Sequence, residues 1–271
     1  MGYKTLVAAD SFATNEHVDI ATTEAPGFGW YLVPVSTGAP ANMNTNITND
    51  GTGLQLLDVP GTAAQGLQTA GYSANPPYWV GTTFTGGFCA SLEMKFNPVT
   101  QGSQVSGNDP AFWLMPLSHF LNGKTPEGFP YTELDFFECV AGPAGSPCSP
   151  GMFANDWYYN AGKPAYWGNA NSRVTLPGNP ALGTYNTYMF RWLPAATHGG
   201  TGEFDYYFNP TINPSPVISI KYTATGRPSS GCGACPNGTY FDIESQGPNL
   251  LIIGAGVRPW SNTVRNFAVW Q

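Results

Sequence analysis

Strand-like apolar runs recur along this chain between turn-rich loops. Gly53 to Val59, Phe88 to Phe96, Ala111 to Met115, Val217 to Tyr222 and Leu250 to Val257 are such runs, short and rich in β-branched, aromatic and leucine side chains. Glycine (33 residues) and proline (25) interrupt the chain too densely for long helices. No internal repeat, heptad or linker divides the 271 residues. The pattern predicts one all-β domain over residues 1–271, a sandwich of two stacked antiparallel sheets.

Glu133-Leu134-Asp135-Phe136-Phe137-Glu138 breaks the apolar rule by placing three carboxylates inside an otherwise hydrophobic run. Side chains alternate across a strand, so positions 133, 135 and 137 share a face and Glu138 falls on the other. One inserted residue at Phe136-Phe137 returns Glu138 to the face of the other two, and such β-bulges are enriched beside active sites. Two glutamates and an aspartate on one face suit retaining glycoside hydrolysis, with a nucleophile and a general acid/base about 5–5.5 Å apart. Mutual repulsion and burial then raise the pKa of one glutamate while the other stays ionised. The alternatives are a solvated strand face or a calcium site, although calcium favours oxygen ligands from loops.

These residues resemble glycoside hydrolase family 16, the laminarinase and lichenase-like enzymes, whose signature is Glu-x-Asp-x-x-Glu on a bulged strand. Flanking segments agree in order: Gly87 to Phe96, Pro110 to Pro116, Tyr185 to Pro194 with Glu203 to Phe208, Tyr240 to Asp242 with Leu250 to Trp260, and Val264 to Gln271. The resemblance covers roughly residues 85 to 271 and implies a concanavalin A-like jelly roll with a concave glycan cleft. It implies Glu133 as nucleophile, Asp135 as the residue that modulates the pair and Glu138 as acid/base. Thr132 stands where the family usually has glycine, and Phe129-Pro130 lies one residue closer than its Trp-Pro, which marks a divergent member.

Phe129, Tyr131 and Trp157 flank the carboxylate strand, and Trp113 and Trp192 match family tryptophans near the cleft, with a wholly core position as the alternative for either, so these five are the candidate sugar-binding aromatics. No metal or organic cofactor is required for such chemistry. Asp10, Asn15, Glu16 and Asp19 read either as a solvated acidic loop or, with a C-terminal oxygen ligand as in some relatives, as a structural calcium site. The implied activity is endo-cleavage of a β-1,3- or mixed β-1,3/1,4-glucan, with transglycosylation as a variant. A non-catalytic, lectin-like protein on the same fold is the alternative. A polysaccharide lyase ranks last, for no histidine lies near the motif.

Charge narrows the ligand. Only 10% of residues are charged and the net charge is −7, which disfavours nucleic acid and, unless Arg173, Arg191, Arg227, Arg258 and Arg265 cluster in the cleft, strongly anionic glycans, and favours a neutral polysaccharide as partner. No run of 18 apolar residues crosses a membrane, and a monomer is expected. Met1-Gly2-Tyr3-Lys4 lacks the apolar run of a signal peptide, so the expectation of a secreted protein includes a signal already removed. Among five cysteines, Cys139–Cys148 and Cys232–Cys235 are candidate disulfides that suit an oxidising compartment, and Cys89 reads as a buried thiol.

Overall fold

The computed structural model of the chain describes residues 2–32, 47–56, 65–72, 79–96, 108–117, 131–140, 151–160, 163–166, 183–210, 215–223, 248–256 and 262–271. Its strands are β1 (Leu6–Asp10), β2 (Val18–Asp19), β3 (Trp30–Leu32), β4 (Ile47–Asn49), β5 (Leu54–Leu56), β6 (Gln65–Gln68), β7 (Ala70–Tyr72), β8 (Trp79–Gly81) and β9 (Phe88–Phe96). There follow β10 (Asn108–Pro116), β11 (Tyr131–Val140), β12 (Gly151–Asn160), β13 (Lys163–Tyr166), β14 (Tyr185–Leu193), β15 (Thr201–Phe208), β16 (Ile218–Thr223), β17 (Asn249–Gly256) and β18 (Asn262–Trp270). The predicted run Phe88 to Phe96 is β9, and Trp79 begins β8, which pairs with β7 in a small separate hairpin.

Two large sheets carry the fold. The first runs β16-β15-β14-β9-β18-β5-β4, with β1 added on β18, and the second runs β13-β12-β11-β10-β17-β6-β3-β2. Pairing is antiparallel except between β2 and β3. Neighbours such as β9 and β18, or β10 and β17, are far apart in sequence. The sandwich therefore closes only when the last strands have joined the first ones.

Period-two patterning decides which side chains lie between the sheets. On β9, Phe88, Ala90, Leu92, Met94 and Phe96 are buried while Ser91, Glu93 and Lys95 are only half-buried. Facing residues from the second sheet include Phe112, Leu114, Leu134, Leu251 and Ile253. Two ring stacks join the layers: Phe136 on Phe190, with centroids 3.9 Å apart, and Phe137 on Tyr188, at 4.2 Å. Each such aromatic buries a large apolar area, and its geometry contributes beyond that area. The stacks anchor β11 to the opposite sheet at Phe136 and Phe137.

Candidate active site

The interruption in β11 is a one-residue bulge. Against β12, Asp135 pairs with Asn155 and Glu138 with Phe153, so two residues of β11 face one of β12. Against β10 the register slips at the same place, Phe137 pairing with Phe112 and Asp135 with Trp113. Leu134, Phe136 and Phe137 all lie in the core. Two successive inward residues return position 138 to the face of Asp135, as the sequence predicts, and position 133 shares that face by simple alternation.

Asp135 is buried, at 4% exposure, although it lies on the face turned away from the core. Its row across the sheet reads Asn155, Asp135, Trp113, Ile252, Gln68 and Tyr31. Trp113 is half-buried and packs on an apolar cluster of Ala70, Met115, Leu117, Leu250 and Ile252. An ionisable group, a tryptophan and the Gln68 amide therefore share one line on the outer face of the second sheet.

Backbone register also puts Glu133 opposite Trp157 and Tyr131 opposite Tyr159. The side chains of Tyr131, Glu133, Glu138 and Trp157 lie outside the described residues, as does Phe129 altogether.

No protein-family model matches the sequence, and no curated protein is significantly similar to it. Solved structures do share its architecture. An endo-1,3-β-glucanase from Streptomyces sioyaensis superposes with a TM-score of 0.57 at 13% identity, over 98% of this chain and 96% of that one. The chain has the jelly-roll fold of family 16 glucanases. A non-specific endo-β-1,3(4)-glucanase of that family, crystallised with an oligosaccharide at its active site, gives 0.55 at 13% identity over 100% and 97% of the two chains. The κ-carrageenase of Pseudoalteromonas carrageenovora, solved with a κ-carrageenan oligosaccharide, gives 0.51 at 15% identity over 99% and 96%.

Trp192 corrects one sequence-based expectation. It belongs to β14 of the first sheet, is 1% exposed and packs between Phe88 and Phe204 in the core. Alternation along β14 sends Tyr188, Phe190 and Trp192 inward together. Trp192 fills the sandwich and does not reach the face of Asp135.

The N-terminal acidic residues hold backbone. Asp10 accepts hydrogen bonds from the Phe12 amide at 2.7 Å and the Trp30 indole at 3.1 Å. Asp19 accepts from the amides of Thr23 and Glu24 and from the Thr23 hydroxyl. Among the described residues no three His, Cys, Asp or Glu side chains gather where they would hold a metal ion. Asp10 and Asp19 brace their own loop, and both carboxylates are taken by N–H donors.

The expected pairing of Cys139 with Cys148 and of Cys232 with Cys235 falls outside the described residues. Cys89 is a free thiol, 3% exposed, packed with Met189 and Tyr207. Sequence reading missed Gln68. It sits in no motif, and only the pairing of β6 with β17, distant in sequence, brings it into line with Asp135.

Proposed function

We propose that this protein is an endo-acting retaining glycoside hydrolase that cleaves a neutral β-linked glucan, with β-1,3 or mixed β-1,3/1,4 linkages. The observation that carries the proposal is the bulge at Phe136-Phe137, which gathers positions 133, 135 and 138 on one face of β11 beside Trp113. Without it five residues of strict alternation separate the two glutamates by one face. The likeness of fold to endo-glucanases supports the same reading.

In this reading Glu133 is ionised and attacks the anomeric carbon, while Glu138 gives its proton to the departing glycosidic oxygen. A covalent glycosyl-enzyme forms through the Glu133 carboxylate. Glu138, now ionised, takes a proton from an incoming water, whose oxygen attacks the same carbon and frees Glu133. Two inversions give net retention. Asp135, buried beside the two glutamate positions, is the residue that modulates the pair. Mutual repulsion of the two glutamates raises the cost of ionising both together, so that one holds its proton for the first step. Trp113 offers its flat face to the C–H side of a sugar ring.

The test is release of reducing ends from laminarin, lichenan and barley β-glucan by the wild type and by Glu133→Gln. Wild-type release that falls at least about a thousandfold in the variant, with glycan binding kept, is the expected result. Binding without release in the wild type points instead to a lectin-like protein on the same fold.

A further inference from the structure

The outer face of the second sheet carries neighbouring rows of different content. In register with position 138 lie Ala111, Gly254 and Gly66, on β10, β17 and β6. These positions put nothing beyond a Cβ atom on the sheet. The adjoining row is that of Asp135, with Trp113 at its near end and Gln68 at its far end. A strip of buried small residues thus leads away from the catalytic positions across three strands, bordered by Trp113, the buried Ile252 and then Gln68.

Gln68 is 3% exposed, and among the described residues its Oε1 has no hydrogen-bond partner. Buried carbonyl oxygens are nearly always paired, because leaving one unpaired forfeits the hydration it gave up. Beyond Gln68 the row is closed. Tyr31 donates its hydroxyl to the Ala25 carbonyl at 3.0 Å, and its ring lies so near the β7–β8 hairpin that a Cβ on Gly71 would come within 2.8 Å of it and one on Gly81 within 2.6 Å. The strip therefore ends beside an acceptor that lacks a donor.

We propose that Gln68 is a substrate-binding residue that accepts a hydrogen bond from a sugar hydroxyl at the far end of this strip. The proposal rests on reading this face as the glycan site. Strands about 4.8 Å apart put Gln68 roughly 14 Å from Asp135, three strands away, the span of a short oligosaccharide. Gln68 thus serves chains that extend well past the scissile bond. The unpaired atom is an acceptor, so it selects a ligand that brings a donor. A free hydroxyl meets that need, whereas a sulfate ester or a carboxylate brings only further acceptors.

Gln68→Met keeps the volume and removes the acceptor. Binding of β-1,3-gluco-oligosaccharides of two to six units is measured by calorimetry in the Glu133→Gln background, and kcat and KM are measured in the wild-type background. The expected result is a hexasaccharide affinity lowered about tenfold, a KM raised in step with kcat held, and an unchanged disaccharide. Ala111→Val, which raises a branched side chain on the strip, gives a second measure and lowers hexasaccharide affinity likewise. Unchanged hexasaccharide affinity in Gln68→Met, with a melting temperature equal to or above its parent, overturns the proposal and leaves Gln68 an unpaired interior amide. Gln68-dependent binding in a wild type that hydrolyses nothing upholds the proposal and overturns the catalytic reading. Absence of binding to every oligosaccharide overturns both.

Discussion

Asp50 shows how a carboxylate near the surface holds two distant parts of the chain together. It accepts hydrogen bonds from the Thr52 amide and hydroxyl and from Lys95 Nζ at 3.2 Å. Burial opposes its ionisation, but the Thr52 and Lys95 hydrogen bonds and the Lys95 charge outweigh that and lower its pKa to about 2. A pKa lowered by folding means that the folded state holds its proton less tightly than the unfolded state does. The stabilisation is therefore complete above the ordinary carboxylate range and is lost as pH falls toward 2. Asp50→Asn is expected to lower stability by on the order of 1 kcal/mol or less at pH 6, since the pair is partly solvated. Thermal melts of both proteins from pH 7 to pH 2 check this: the gap narrows below about pH 4, and a gap that stays constant with pH contradicts it. Other single residues were legible to different degrees. Cys89 reads from sequence as a buried thiol, and burial does raise its pKa, to about 11. Trp192 was misplaced because alternation tells which residues share a face of β14 but not whether that face meets the core.

At the scale of the element, β11 was legible because its sequence contradicts itself. Glu133 and Glu138 cannot share a face under strict alternation, and Phe136-Phe137 cannot both be apolar on opposite faces of a half-solvated strand. One inserted residue resolves both conflicts. The row through Gln68 was not legible, because it depends on how β6, β17 and β10 pair, and no local pattern fixes the register of strands so far apart. The bulge gives a sharp expectation. Inserting one alanine between Phe137 and Glu138 shifts position 138 by one in the alternation, turns it toward the core and is expected to reduce hydrolysis at least about a hundredfold. Phe136→Ala is the control, since it keeps the register and only empties the stack on Phe190. It is expected to cost about 3–5 kcal/mol in stability while preserving turnover per folded molecule. Denaturant titration and active-site-normalised rates separate the two outcomes, and equal loss of turnover in both variants contradicts the role given to the register.

For the whole molecule, the proposed function turns on which polysaccharide is bound, and fold alone does not distinguish neutral from sulfated chains. A glucanase superposes at a TM-score of 0.57 and a carrageenase at 0.51, both at low identity. Charge separates the two. Lys95, Arg191, Lys221 and Arg265 are paired with Asp50, Asp205, Glu203 and Glu93 respectively. All four belong to β9, β14, β16 and β18 of the first sheet, across the core from the face of Asp135. Among the described residues these four cations are thus neutralised on the side of the sandwich opposite Asp135. With a net charge of −7, the molecule repels a sulfated chain at low ionic strength and is indifferent to a neutral one. Hydrolysis of a neutral β-1,3-glucan is therefore expected to change less than about twofold between 0.05 and 0.5 M NaCl, where the screening length shortens severalfold. Binding of κ-carrageenan is expected to be weak at low salt and no weaker at high salt. Binding that is tight at low salt and falls steeply as salt rises would require a cluster of unpaired cations on the substrate face, and the neutral-glucan reading would then give way to an anionic one.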